Sequence, residues 1–300
     1  MSVVDFHLHL FSRPYFEALA AFSPLPGSVD ERLARVVEKA KLELPPPDLA
    51  AHVARWIAEF DRHGVEHVAA FASAPEATPA LAEAAVLSKG RITPFALVNP
   101  KAEGVAARVR TLLETKGFRG VLLFPALHHY ELGAPECREL LGVLDEQRAI
   151  AYVHCGLLVV KLRDLLGIPR TMDPRFANPL NVIPAAHAFP NVRFVIPHFG
   201  AGFFRETLLA GAQCPNVFVD TSSTNSWIAT QPTELTLRDV FERALGVFGP
   251  ERILFGTDSN TFPAGWRADR LAEQRAIVDA LAPSFSSAIF GANARRLLTR

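Results

Sequence analysis

Val3-Val4-Asp5-Phe6-His7-Leu8-His9-Leu10 opens the chain and decides how the rest is read. It is apolar at most positions, as a strand covered on both faces is, and it ends in two imidazoles spaced two residues apart. Residues two apart on a strand point the same way, so His7 and His9 are placed to grip one ion. The same period puts Asp5 on that face, one layer deeper. Three later apolar runs end in the same chemistry: Tyr152-Val153-His154, Val195-Ile196-Pro197-His198 and Leu254-Phe255-Gly256-Thr257-Asp258. Imidazole and carboxylate are ligands for a divalent cation such as zinc, and strand ends are where a barrel gathers them.

Eight strand-like runs recur along the chain: Val3 to Leu10, His67 to Ala72, Ile92 to Val98, Gly120 to Phe124, Ala151 to His154, Arg193 to Pro197, Val217 to Asp220 and Arg252 to Gly256. Segments of helical periodicity separate them. Asp48 to His63 carries Leu49, Val53, Trp56, Ile57 and Phe60 on one stripe and stops before Gly64, as a helix ended by a C-terminal glycine does. Ala102 to Thr115, Pro135 to Gln147, Asn181 to Ala188 and Thr236 to Val247 read the same way. This alternation predicts an α/β fold, a (β/α)8 TIM barrel forming a single domain over 1–300. A doubly wound open sheet would give the same alternation, but ligand types at strand ends favour the barrel. Two long segments, Phe11 to Pro47 and Gly156 to Pro179, are insertions after strands 1 and 5 and are expected to wall the site.

The 300 residues are 49% hydrophobic, enough for a sizeable core, and Lys plus Arg and Asp plus Glu each number 31. Zero net charge with no charged tail argues against nucleic acid or an anionic membrane as partner, and for a small neutral or acidic molecule. Homo-oligomerisation is left open. Cys137, Cys155 and Cys214 form neither a zinc ribbon nor a disulfide framework, and no leader or apolar run of membrane-spanning length is evident. A cytoplasmic protein is expected.

Roles follow from chemistry. His7, His9 and His154 supply neutral nitrogen ligands; Asp258 can touch the metal and also act as general base, then acid, for a water molecule. His198 remains beside the ligands, to orient that water or to polarise a substrate carbonyl. The motifs Asp5-x-His7-x-His9, His154, Pro197-His198-Phe199-Gly200-Ala201-Gly202, Asn216 to Ser222, Arg252 to Asp258 and Gly291 to Leu298 together resemble the amidohydrolase superfamily. More narrowly, they resemble its amidohydrolase-related branch, which includes aminocarboxymuconate semialdehyde decarboxylase and pyrone dicarboxylate lactonase. That resemblance implies a distorted (β/α)8 TIM barrel with one divalent ion, usually zinc with manganese as the alternative, held by His7, His9, His154 and Asp258, with His198 catalytic. Two-metal members carry a lysine at the end of strand four; here that strand reads Gly120-Val121-Leu122-Leu123-Phe124-Pro125, so a single metal is expected.

The expected activity is metal-dependent hydrolysis of a small, carboxylated ester, lactone or amide. The alternative is nonoxidative decarboxylation of an aromatic or unsaturated acid by the same residues. Arg13, Arg205 and Arg267, on loops at the catalytic end, are candidate carboxylate anchors, and His128 is a candidate substrate contact. Phe203, Phe204, Trp227, Phe262 and Trp266 are candidates for an apolar wall. His52, His63, His67 and His187 read as structural, and Cys155 as packed away from the site.

Overall fold

A computed structural model describes residues 2–299. Eight parallel strands follow one another around a single sheet in chain order: β1 (Val3–His9), β2 (Val65–Ala72), β3 (Ile92–Val98), β4 (Gly120–Leu123), β5 (Ile150–Val153), β6 (Arg193–Ile196), β7 (Val217–Asp220) and β8 (Ile253–Leu254). Closure between the two ends is made just past β8. Phe6 N–H donates to Phe255 O (2.8 Å), Asp258 N–H to His7 O (2.9 Å) and His9 N–H to Ser259 O (2.9 Å). Helices cover the outside, so this is a (β/α)8 barrel with apolar side chains filling its axis. Val4, Phe6, Ala69, Phe71, Phe95, Leu122, Tyr152, Val195 and Leu254 form that inner cluster.

Local chemistry explains most boundaries. The helix Leu49–His63 starts on Asp48, whose carboxylate accepts the Ala50 N–H, and ends on Gly64 at φ 65, the stop its sequence predicts. The first insertion folds into helices Arg13–Ala21 and Val29–Ala40, the latter opened by a Ser28/Glu31 capping box. Glu43 N–H then donates to Phe262 O (2.8 Å), tying the insertion to the loop after β8. The second insertion reaches across the mouth: Gly156 N–H donates to Ala177 O, Leu157 N–H to Ala201 O, and Asp173 N–H to Ala126 O. Both therefore stand at the C-terminal rim.

One expectation about β1 is overturned. Its pairing with β2 runs Asp5↔Val68 and then Leu8↔Ala70, so three steps on β1 oppose two on β2. That extra residue is a β-bulge, which breaks the simple alternation of faces. Val4 and Phe6 enter the barrel axis, whereas Asp5 points outward to accept from Trp266 Nε1 (2.8 Å), Thr257 Oγ1 (2.5 Å) and Thr257 N (3.1 Å). Beyond the bulge His7 and His9 turn back inward. Asp5 is thus a brace behind the site rather than a deeper layer of it; burial raises its carboxyl to about 6 against the opposing pull of those hydrogen bonds.

Candidate metal centre and active site

His7 sits where the bulge delivers it, buried, with its two ring nitrogens facing different partners. Nδ1 lies 2.8 Å from Asp220 Oδ2, at the end of β7, while Nε2 lies 3.2 Å from His9 Nε2 and 3.7 Å from Asp258 Oδ1. His9 Nε2 is in turn 3.3 Å from Asp258 Oδ1, and His9 Nδ1 is 2.6 Å from Ser73 Oγ, just past β2. The ligand atoms of His7, His9 and Asp258 all lie within 4.8 Å of one another. Ligands around a zinc-sized ion are expected about 3–4 Å apart, so these spacings fit.

The donor set also fits electronically. A carboxylate only accepts, so Asp220 fixes the proton of His7 on Nδ1 and leaves Nε2 as a lone pair. That lone pair converges with His9 Nε2 and a carboxylate oxygen, an arrangement a cation stabilises. Burial alone would raise the Asp258 carboxyl, but the hydrogen bond from His9 and the nearby imidazoles of His7 and His198 hold it well below the usual carboxylate range. Burial opposes charge on His7 too, yet Asp220 shifts that ring upward. His9 is shifted down by burial despite Asp258.

Two residues of the site occupy the left-handed region, His198 at φ 56 and Asp258 at φ 61. Non-glycine residues there are held by their surroundings. His198 N–H donates to Asp220 Oδ1 (3.0 Å), and Asp258 N–H to the His7 carbonyl. Gly256 is required for the same packing: a Cβ there would come within 2.6 Å of His7 Cβ and 3.0 Å of Ser222 Cβ.

His198 and His154 complete the cluster. The His198 ring is 4.9 Å from that of His7 and 5.2 Å from that of His154, centroid to centroid. His154 follows β5 and lies beside His198, outside the tight His7/His9/Asp258 group. Its Nδ1 is buried with no hydrogen-bond partner, and burial pushes the ring down to about 3. Burial keeps His198 well below its ordinary value as well. Burial thus disfavours the charged form of both rings.

The candidate substrate contacts fare differently. Arg13 is taken up by Glu17 (3.0 Å), and Arg267 pairs with Asp269 through both Nε and a terminal nitrogen, so neither guanidinium is a free fork. Arg205 has a side chain 83% exposed beside Glu206. Arg13–Glu17 is an i,i+4 helix pair, whereas Arg205 and Arg267 lie beside acids one and two residues on. His128 is half-buried on the turn after β4, with Nδ1 unpartnered. Trp266 binds Asp5 and Phe262 packs on Trp56 (4.7 Å), which makes them core rather than wall. Cys155 lies buried in the outer cluster, and burial pushes its thiol up.

Sequence reasoning gave no role to Asp220, Ser222, Ser73 or Tyr152, whose hydroxyl is 3.0 Å from His7 Nδ1. Asp220 and Ser222 had a signal: a carboxylate ending a strand fully buried among apolar residues needs donors.

This geometry agrees with what the chain is similar to. The amidohydrolase family model matches residues 4–300. The chain belongs to the amidohydrolase family. No curated protein matches the sequence. Among solved structures, this amidohydrolase is similar to 5-carboxyvanillate decarboxylase from Sphingomonas paucimobilis, at 13% identity and TM-score 0.67 over 99% of this chain and 98% of that one. It is equally similar to a probable 2-pyrone-4,6-dicarboxylic acid hydrolase from Acinetobacter baumannii with citric acid bound, at 15% identity and TM-score 0.66 over 99% of each. A third is 5-carboxyvanillate decarboxylase from Novosphingobium aromaticivorans, complexed with manganese and 4-hydroxy-3-methoxy-5-nitrobenzoic acid, at 15% identity and TM-score 0.66 over 99% and 96%. At such identities the likeness establishes the fold. Among the described residues, no helix is long and apolar enough to cross a membrane.

Proposed function

We propose that this amidohydrolase is a metal-dependent hydrolase of a small carboxylated ester, lactone or amide. The observation that carries it is the convergence of His7 Nε2, His9 Nε2 and Asp258 Oδ1 within 4.8 Å at the C-terminal mouth, with the His198 ring 4.9 Å from that of His7. One divalent ion, zinc or manganese, would be held by those three residues and by His154, whose orphaned Nδ1 marks a buried polar group in want of a partner. A manganese ion in a solved relative of the same fold supports the divalent class. When bound, such an ion polarises oxygen and makes water a usable nucleophile near neutral pH.

The chain's own groups do the rest. Asp258, whose side chain is 30% exposed and so reached from the mouth, accepts the proton of the attacking water and returns it to the leaving group. Asp220 and Ser73 hold the two imidazoles of β1 in register. The ionised pairs on Arg13 and Arg267 make a solvent-facing arginine an unfavoured carboxylate anchor, leaving His128 as the polar group of the rim with an unused nitrogen.

The test is a panel of lactones, esters, amides and hydroxybenzoates offered to the zinc-loaded enzyme, with acid and carbon dioxide followed in parallel. Acid release that His198→Ala abolishes while zinc is retained supports the reading. Carbon dioxide release replaces it with decarboxylation.

A further inference from the structure

Ser222, the second residue past β7, joins three groups of the site through one hydroxyl. Its Oγ is 2.5 Å from Asp220 Oδ1, 2.8 Å from His198 Nδ1 and 2.9 Å from His7 Nδ1. Asp220 Oδ1 also receives two backbone N–H groups, from His198 (3.0 Å) and from Ser222 itself (2.8 Å), and its Oδ2 faces His7 Nδ1. The residues involved are all buried. Every proton in this network can be assigned by elimination.

Asp220, as a carboxylate, contributes only lone pairs. The short contact between Asp220 Oδ1 and Ser222 Oγ therefore needs a proton between the two oxygens, and the serine hydroxyl is the group that has one. That hydroxyl is spent. What Ser222 Oγ then turns toward His198 is a lone pair, and a contact of 2.8 Å between two lone pairs would be repulsive. His198 Nδ1 must carry the hydrogen. A neutral imidazole has one N–H, so Nε2 is bare.

We infer that Ser222 and Asp220 are positioning residues that lock His198 in the Nδ1–H tautomer and so present a bare Nε2 to the reaction site. For the hydrolytic reading, on which this consequence rests, that decides between two roles. A bare Nε2 accepts a hydrogen bond and orients the attacking water toward the substrate carbon. It does not donate to a developing oxyanion. The proton of that water passes to Asp258, and His198 keeps its single hydrogen throughout. Asp220 thereby governs two imidazoles at once: Oδ2 fixes His7, and Oδ1, through Ser222, fixes His198.

The tautomer is read directly by long-range proton–nitrogen correlation spectra of the full-length protein, labelled with nitrogen-15 histidine and loaded with diamagnetic zinc; His198→Gln identifies the signals. The expected wild-type pattern for residue 198 is a protonated Nδ1 and an unprotonated Nε2. In Ser222→Ala that single pattern is lost to a mixture or to Nε2–H, while His7, still bonded to Asp220, serves as the reference. A protonated Nε2 on His198 in the wild type overturns the inference even if the variant fails to fold. So does a His198 pattern unchanged in a folded Ser222→Ala protein, because a serine that merely fills space would leave it so. The spectrum needs no turnover, so a hydrolase with the other tautomer and an inactive protein with this one are distinguishable results.

Discussion

Substituting Gly256 by alanine probes how closely the site is packed. The added Cβ would sit 2.6 Å from His7 Cβ and 3.0 Å from Ser222 Cβ, and neither is the far end of a flexible chain. Ordinary contact starts at 3.4 Å, so backbone must separate by roughly 0.8 Å between β1 and the turn after β8. Forced expansion of a packed interior costs about 1–3 kcal/mol, which for a chain of this size lowers the melting temperature by roughly 2–10 °C. The same displacement carries His7 Nε2 away from His9 and Asp258. Ligand sets tolerate about 0.5 Å, so zinc affinity should fall by roughly 10- to 100-fold, the range seen when groups supporting a ligand are lost. Thermal melts and competition with a fluorescent zinc chelator read the two effects. A variant that melts and binds zinc like the wild type would refute the claim that His7 is held by contact with this glycine.

Asp258→Asn should fold nearly normally, since asparagine tolerates the left-handed φ of 61, yet turn over roughly 10² to 10⁴-fold more slowly; wild-type rates would remove its role as base. Gly142→Ala, in the helix Pro135–Glu146 where a Cβ meets nothing within 4 Å, should stabilise by about 0.5–1 kcal/mol in urea melts. His52 is buried, and burial pushes it down to about 4 against the opposing pull of the Phe11 backbone. Because its folded value is depressed, the unfolded chain binds the extra proton first, so stability declines as pH falls from about 6.5 toward 4, by up to roughly 3 kcal/mol. His52→Leu should flatten that part of the stability curve; an unchanged slope would count against it.

The barrel was legible because parallel strands covered on both faces leave apolar runs in the sequence, and seven of the eight observed strands end within one residue of the C-terminal limit of the run read for them. β8 is the exception, shrinking to Ile253–Leu254 because Phe255 N–H donates to Ile289 O and Gly256 N–H to Thr221 Oγ1 rather than to a neighbouring strand's backbone. Helix Ala268–Leu281 escaped notice because ADRLAEQRA lacks an apolar stripe. The residues gathered at the mouth were legible from chemistry at strand ends. The direction of Asp5 was not, since a bulge is a feature of pairing between β1 and β2 and leaves no period in β1 alone. The pairing of the arginines was hidden for a related reason: whether a loop cation is paired depends on neighbours such as Glu17 and Asp269, which a ligand-type search ignores. Ser222 was invisible as a role because its meaning comes from three partners, 2, 24 and 215 residues away.

An anomalous difference map from zinc-loaded crystals, collected at the zinc edge, tests the metal centre most directly. One peak is expected, within about 2.0–2.3 Å of His7 Nε2, His9 Nε2, an Asp258 oxygen and a ring nitrogen of His154. A peak elsewhere, two peaks in the mouth, or none would contradict it.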